Sequence, residues 1–421
     1  MVVKSSIANG TVTAPPSKSY THRAMVLGAL THSSFSLVNP LMSEDTRATL
    51  DALYALGTEF RSNTRGVTIH CDALKGARIV IDARNSGTTI RLITGVASLL
   101  PSTTTLTGDE SLVRRPMGPL VDALTQLGAK VSYHSSAGRP PLSITGPITG
   151  ERAEIPANIS SQFVSSLLIA CSQKKGDTQI QLEGQLRSRP YVDITLQMME
   201  EFGAHAEENE EGFFVEGAQQ LSRETYTVPG DYSSAAFPLA AAAISGGDVT
   251  VRNLDKVSPQ GDRAFLEHLR AFGAKATRTN SSVRVKGADL KGTDIDVRDT
   301  PDLFPILAVV GAVADGKTVL SGGENLREKE SDRIATTTRF LFDMGANIVP
   351  KEDGCEIVGV QKLHGASVNT EGDHRILMAA TVAALVSSSE TKIDDTDSFN
   401  VSYPGFIRDL HQLGCRLTVR K

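Results

Sequence analysis

Tryptophan is absent from the 421 residues, and aromatic side chains make up only 5 % of them, a composition poorly suited to a base-stacking platform for single-stranded nucleic acid. Cysteine is nearly as scarce. The four, at 71, 171, 355 and 415, form no C-x-x-C pair and no metal-like cluster, which excludes a small disulfide-stapled fold and favours reduced packing thiols over metal ligands. Positive charge is not in excess either: 43 Lys and Arg against 48 Asp and Glu leave a net charge of −5, with no basic tail for duplex nucleic acid to grip. Small or apolar runs such as Ala235 to Ile244 stop well short of the roughly 20 residues that span a bilayer. Met1-Val2-Val3-Lys4-Ser5 lacks the charged-then-apolar order of a signal peptide. The expectation is a cytoplasmic protein without nucleic-acid or membrane partners.

What is present is length, 36 glycines and a repeat. At roughly 150 residues per domain the chain has room for two or three domains. One short pattern recurs six times: a helical run with apolar i, i+3, i+4 spacing, an apolar residue, Gly, a small residue, then a β-like stretch. It falls at Leu56-Gly57-Thr58, Leu127-Gly128-Ala129, Phe202-Gly203-Ala204, Phe272-Gly273-Ala274, Met344-Gly345-Ala346 and Leu413-Gly414-Cys415. Successive glycines lie 71, 75, 70, 72 and 69 residues apart. A Gly there fits a helix ending in the left-handed conformation, which a side chain would strain. Alternation after the glycines, as in Ser282-Val283-Arg284-Val285-Lys286, reads as strand. Each repeat then holds two helices and several strands, an α/β architecture.

A second series marks the starts of the first helices. Ser17, Ser86, Ser160, Asp231, Thr300 and Asp373 each precede an apolar helical run, at spacings of 69, 74, 71, 69 and 73, and all are residue types suited to an N-cap. The unusual polar residues gather at these starts and, less regularly, near the second helices at Arg115, Tyr191 and Arg333. A helix N-terminus carries unpaired N–H groups and about half a positive charge, so several aimed at one cavity favour a multiply anionic ligand.

Taken singly, the motifs are ambiguous. In Pro15-Pro16-Ser17-Lys18-Ser19-Tyr20-Thr21-His22-Arg23 the i, i+4 spacing places Ser19 and Arg23 on one helix face beside Lys18, a trio able to grip phosphate or carboxylate, or merely a capped helix with solvated bases. It is no phosphate-binding Walker loop, because Ser17 stands where Gly would precede the Lys. Asn85-Ser86-Gly87-Thr88-Thr89-Ile90-Arg91 lets a ligand oxygen approach backbone N–H groups. Arg114-Arg115-Pro116, Ser160-Ser161-Gln162, Ser188-Arg189-Pro190-Tyr191, Thr300-Pro301-Asp302 and Asp373-His374-Arg375 each have an ordinary reading as turns and caps. Asn325 to Arg333 packs six charges into nine residues, as many solvated faces do.

Together, in this order, P-x-S-K-S-x-x-x-R, N-S-G-T, R-P-M, S-S-Q, S-R-P-Y, P-D, N-x-R-x-K-E-S-D-R and D-H-R resemble the enolpyruvyl transferases that act on shikimate 3-phosphate, over nearly the whole chain. The resemblance implies two similar domains, each of three βαβαββ repeats in an inside-out α/β barrel with helices inside and sheets outward. They would comprise residues 14–229 and residues 1–13 plus 230–421, with crossovers near 13–15 and 228–231 and a substrate cleft between the domains that closes on the ligands. The implied reaction moves the enolpyruvyl group of phosphoenolpyruvate to the 5-hydroxyl of shikimate 3-phosphate through a tetrahedral intermediate, releasing phosphate, on the route to chorismate and aromatic amino acids. By the same resemblance Lys18, Ser19, Arg23, Ser160, Ser161, Gln162, Ser188, Tyr191, Asp302, Asn325 and Lys329 would hold shikimate 3-phosphate, and Lys18, Gly87, Arg115, Gln162, Arg333 and Arg375 phosphoenolpyruvate. Asp302 would be the base, with Glu330 and Lys18 moving protons. No metal or organic cofactor is implied, and the family expectation is a monomer inhibited by glyphosate.

Two positions depart from the pattern: Val401 replaces a Lys common before the last helix, and Leu92 replaces a Pro. The sister enzymes that use UDP-N-acetylglucosamine are the alternative, but they open on Lys-Asn and carry a reactive Cys or Asp before an Arg-Pro. Here Gly108 to Pro116 contains no Cys. A non-catalytic binding protein built on the same repeats would not be expected to keep this set of charged residues.

Overall fold

The computed structural model describes residues 1–76 and 78–419. Its twelve α-helices, among those residues, are α1 (Lys18–Ala29), α2 (Glu44–Ala55), α3 (Gly87–Ala97), α4 (Gly118–Gln126), α5 (Ser161–Gln173), α6 (Arg189–Glu201), α7 (Tyr232–Ser245), α8 (Phe265–Ala271), α9 (Phe304–Ala312), α10 (Arg333–Asp343), α11 (His374–Ala384) and α12 (Phe406–Gln412). Every even-numbered helix runs into one of the six repeat glycines, at φ between 82° and 101°, which is the left-handed exit the repeat predicts.

The odd-numbered helices begin at the second series of residues. The side chains of Ser86, Ser160, Asp231 and Asp373 accept from backbone N–H groups of the first turn. Two positions differ from the capping expectation. The Ser17 hydroxyl makes no cap bond, and the turn closes through the Thr21 N–H and hydroxyl on the Ser17 carbonyl, at 3.0 and 2.8 Å. Thr300 starts a 3₁₀ turn, Pro301–Leu303, rather than α9 itself; the Leu303 N–H donates to the Thr300 carbonyl at 2.9 Å, and the Thr300 hydroxyl is buried without a hydrogen-bond partner among the described residues.

Each repeat builds one four-stranded sheet, six in all among the described residues. In the third repeat, Arg152–Pro156 pairs in parallel with Thr178–Glu183, Ala153 opposite Ile180. Helix α5 makes the long connection that a parallel pair requires. Thr178–Glu183 then pairs antiparallel with Gly212–Val215, which pairs antiparallel with Glu207–Asn209. The order first, second, fourth, third recurs in every sheet, with chain ends filling gaps: Thr225–Thr227 is the first strand beside Ser34–Val38, Asn9–Thr13 the first strand beside Asp248–Arg252, and Val2–Lys4 the last strand beside Arg416–Thr418. Among the described residues no sheet closes on itself; each compact unit has three separate sheets packed against its helices.

The chain divides into two compact units, a continuous one, Pro16–Val228, and a split one, Met1–Pro15 with Pro229–Lys421. In the split unit α9 is buried along its whole length, as is α11, and α7 from Tyr232 to Ala243. A helix apolar on all sides, as α9 is, has nowhere else to go, and the three pack on one another, with most of the polar residues of α7 and α11 at their first turns. In the continuous unit α3 packs on both α1 and α5. There the Phe202 ring lies between those of Phe35 and Tyr226, at 5.3 and 5.8 Å. Gly28 lets α1 settle on that cluster, because a Cβ there would stand 2.2 Å from Cδ1 of Phe35. Gly28→Ala is therefore expected to cost about 1–3 kcal/mol by overpacking, read as a lower urea midpoint at unchanged slope. An unchanged midpoint would contradict the packing described.

Candidate active site

In the continuous unit the candidate residues form two groups around the starts of α1, α3, α5 and α6. Lys18, at the first position of α1, donates from Nζ to Asp45 Oδ2 at 2.9 Å, the carboxylate coming from the first turn of α2. Arg23 lies deeper and is only 1 % exposed. Its Nε donates to Thr195 Oγ1 at 2.7 Å, Nη1 to the Ser19 carbonyl at 3.0 Å, and Nη2 to Ser165 Oγ and the Tyr191 carbonyl at 3.2 and 3.0 Å. Burial pulls its pKa down to about 10, so it is still a cation at neutral pH. The helix face expected to carry Lys18, Ser19 and Arg23 together does carry Ser19 and Arg23, but Lys18 has turned to α2. Ser188 starts α6 in a left-handed conformation, φ 52°, which costs a non-glycine residue about 1–3 kcal/mol and persists only where the surroundings enforce it.

His22, between Lys18 and Arg23, is buried with Nδ1 2.7 Å from Thr49 Oγ1. Burial, then Lys18 and Arg23, hold its pKa well below the ordinary value, so it is neutral. Thr49, Thr89 and Ser86 continue that hydrogen-bonded chain to the cap of α3.

At α3, Gly87 is the first helical residue. A Cβ there would stand 3.0 Å from Arg115 Nη1 and 3.6 Å from Arg91 Nη1, so two guanidinium groups flank the positive end of the helix, the setting for an anion. Arg115 is held by Nη2 on Asn85 Oδ1 at 2.7 Å. Arg91 Nη1 donates to Gln162 Oε1 at 2.7 Å, and Gln162 Nε2 to Thr88 Oγ1 at 2.9 Å. Gln162 thereby ties the start of α5, with Ser160 and Ser161, to that of α3. On the role that the family resemblance implies for this position, Gly87→Ala is expected to raise the phosphoenolpyruvate KM about 10- to 150-fold, the equivalent of one charge-assisted contact. Steady-state kinetics checks it; an unchanged KM would show that no ligand uses this space.

The split unit concentrates charge further. Asp302, on the 3₁₀ turn before α9, accepts from Arg333 Nη1 on Oδ1 and from Arg375 Nη2 on Oδ2, each at 2.8 Å. Arg333 is 1 % exposed; its Nε donates to Asp373 Oδ2 at 2.8 Å and its Nη2 to Glu330 Oε2 at 2.7 Å. Burial alone would raise Asp302, but Arg375, Lys329 and Arg333 overcome it and hold the carboxyl far below the usual range. Burial likewise opposes the charge on Arg333, while Asp373, Glu330 and Asp302 keep it protonated. Five candidates, Asp302, Lys329, Glu330, Arg333 and Arg375, thus form one cluster. Asn325 sits in the preceding 3₁₀ turn, Glu324–Glu328, its Oδ1 buried without a hydrogen-bond partner among the described residues.

Three residues of these groups escaped the sequence reading as functional: Asp45, Arg91 and Asp373. Arg91 closes the run Asn85 to Arg91, one helical turn beyond Gly87, and that spacing is the signal the sequence offers for it. Asp45 and Asp373 sit at helix starts, where a carboxylate ordinarily reads as a cap or dipole partner. Val401, in a 3₁₀ turn, offers no charge. All four cysteines are buried, and burial pushes Cys171 and Cys415 up to about 11, unlike a reactive thiol. Among the described residues no group of three or more His, Cys, Asp and Glu could hold a metal ion, and no helix is long and apolar enough to cross a membrane.

The chain as a whole is similar to known proteins. The family model described as EPSP synthase (3-phosphoshikimate 1-carboxyvinyltransferase) matches residues 2–410. The chain is 46 % identical over 419 residues to the 3-phosphoshikimate 1-carboxyvinyltransferase of Methanocorpusculum labreanum, covering 98 % of each chain. It is 45 % identical to the Methanocella arvoryzae protein of that name, covering 97 % of each. Among solved structures it is similar to an EPSP synthase from Acinetobacter baumannii, with a TM-score of 0.82 at 31 % identity, covering 98 % of this chain and 97 % of that one.

Proposed function

Because the chain belongs to the EPSP synthase family, we propose that it transfers the 1-carboxyvinyl group of phosphoenolpyruvate to the 5-hydroxyl of shikimate 3-phosphate and releases phosphate. The observation that carries the chemistry is the cluster in which Arg333 and Arg375 each donate to Asp302 at 2.8 Å.

Both substrates are multiply anionic, and both units offer fixed cations. In this reading Arg115, Arg333 and Arg375, with Lys18, Gly87 and Gln162, take phosphoenolpyruvate. Ser19, Arg23, Ser160, Ser161, Ser188, Tyr191, Asn325 and Lys329 take shikimate 3-phosphate. Lys18 and Gln162 serve both. The reaction has two halves. A proton adds to the methylene carbon while the 5-hydroxyl oxygen bonds to the neighbouring carbon and loses its proton, giving a tetrahedral adduct. Loss of a proton from the new methyl group and of phosphate then restores the double bond.

Asp302 is the base for the hydroxyl, and its setting supplies a control. A carboxylate clamped by two arginines is a weak base. An anionic substrate that draws off the charge of Arg333 and Arg375 restores its basicity, so proton abstraction follows occupancy. Glu330, on the same arginine, and Lys18 move the proton at carbon.

The reading on the nucleotide-sugar acceptor is not favoured, because the first motif runs Lys18-Ser19 where those enzymes have Lys-Asn, and the family model and relatives matched are those of the shikimate 3-phosphate enzymes. The test is phosphate release from phosphoenolpyruvate with either acceptor. Release with shikimate 3-phosphate alone is expected; release with UDP-N-acetylglucosamine alone would overturn the assignment.

A further inference from the structure

One carboxyl group near the charged cluster of the split unit has no cation of its own. Asp302, Glu330 and Asp373 each accept from an arginine nitrogen within 2.8 Å. Asp262, on the 3₁₀ turn Gly261–Ala264, is 2 % exposed and makes no ion pair among the described residues. Its Oδ2 accepts from the Ser233 hydroxyl, and its Oδ1 is buried without any hydrogen-bond partner. Such a group is costly to keep ionised.

Nor is its position an accident of loose packing. Two residues earlier, Gln260 accepts from the Tyr232 N–H at 3.0 Å and donates to the Gly230 carbonyl at 2.8 Å. The segment is therefore stitched to the start of α7, one residue from Ser233. The charges that face Asp262 are Asp302 on its 3₁₀ turn, Arg375 on α11 and Asp231 at the cap of α7. On its own turn Arg263 is turned to the Lys256 carbonyl. On α8, Glu267 and Arg270 pair with each other, and burial lowers the pKa of His268.

We infer that Asp262 is a positioning residue of the anion site: it carries a proton when an anionic substrate is bound at Arg375, and on losing that proton it opposes such binding. Burial, then the Asp302 charge, pushes its pKa up to about 7 against the pull of Arg375 and the Ser233 hydroxyl, in the range where enzymes work. The sign follows. Below that value Asp262 is neutral and Arg375 acts at full strength toward an anion. Above it, ionised Asp262 offsets Arg375 and repels the ligand. Binding at alkaline pH must therefore draw a proton from solvent onto Asp262.

This rests on the substrate assignment above, and its test separates the two. Steady-state KM for phosphoenolpyruvate is measured from pH 6.5 to 8.5 for the wild type and for Asp262→Asn, the uncharged isostere. The wild-type KM is expected to rise roughly tenfold over that span, and that of Asp262→Asn to vary much less, with kcat profiles that run parallel. Parallel KM curves would overturn the inference. Absence of turnover by the wild type at every pH would instead overturn the substrate assignment. Ser233→Ala is the second variant, decisive if Asp262→Asn does not fold. Without the hydroxyl that favours the ionised form, the rise in KM must move to higher pH, and an unmoved midpoint would equally overturn the inference.

Discussion

Asp302→Asn is expected to lower turnover about 100- to 10,000-fold, the range for removing a positioned general base. The amide keeps the size and can still accept from one arginine at a time, so the change is chiefly in charge and basicity. Because the carboxyl is held far below the usual carboxylate range by Arg375, Lys329 and Arg333 against the effect of burial, the free wild-type enzyme has Asp302 ionised throughout the neutral range. The variant's loss in kcat/KM, which reports the free enzyme, should then be nearly constant from pH 6 to 9. Steady-state kcat and kcat/KM on a variant whose circular dichroism matches the wild type check both expectations. Turnover within a few fold of normal would remove Asp302 from the base's role.

The second large effect belongs to Arg333. It is the shared partner of Asp302, Glu330 and Asp373, and all of its donor nitrogens are used within the cluster. Replacing it with Met leaves three carboxylates without that cation, and breaking a buried ion pair from one side typically costs about 3–5 kcal/mol. Denaturant unfolding should show that loss. Acid should lessen it, since protonating the stranded carboxylates removes the repulsion that the variant introduces. Arg333→Lys retains charge but not the planar fork. Each charge-assisted bond is worth about 1.5–3 kcal/mol, so kcat/KM should fall at least about tenfold. Wild-type stability of Arg333→Met would mean that the cluster does not hold this part of the fold together.

The sequence disclosed what is governed locally. A glycine after a helix, a Ser or Asp before one, and the constant interval between such marks report backbone conformation at single residues. Their physical causes, the left-handed exit and the unpaired N–H groups, act within one turn. Less legible was what the fold brings together from afar. Nothing near Lys18 announces that Asp45 will meet it, and nothing near Arg333 announces that Asp373 will serve as both helix cap and ion-pair partner. Arg23 could not be known in advance to be buried, because its partners at Ser165, Tyr191 and Thr195 lie more than 140 positions away. Thr300 shows the limit of a composition rule: the residue type suits a cap, but its backbone carbonyl, not its hydroxyl, takes the Leu303 N–H, and the turn that follows is 3₁₀. Asp262 stood in no motif, since a buried acid without a cation is defined by what surrounds it in space.

The central claim, an addition and elimination run by these carboxylates and arginines, is tested most directly by carrying out the reaction in D₂O and examining the product by proton NMR and mass spectrometry. Addition places a solvent-derived deuteron on the methylene carbon, and elimination then removes one of three hydrogens from a freely rotating methyl group. The account predicts an enolpyruvyl ether on the 5-hydroxyl of shikimate 3-phosphate with deuterium in its methylene group. The same ether free of deuterium, formed with release of phosphate, would contradict it.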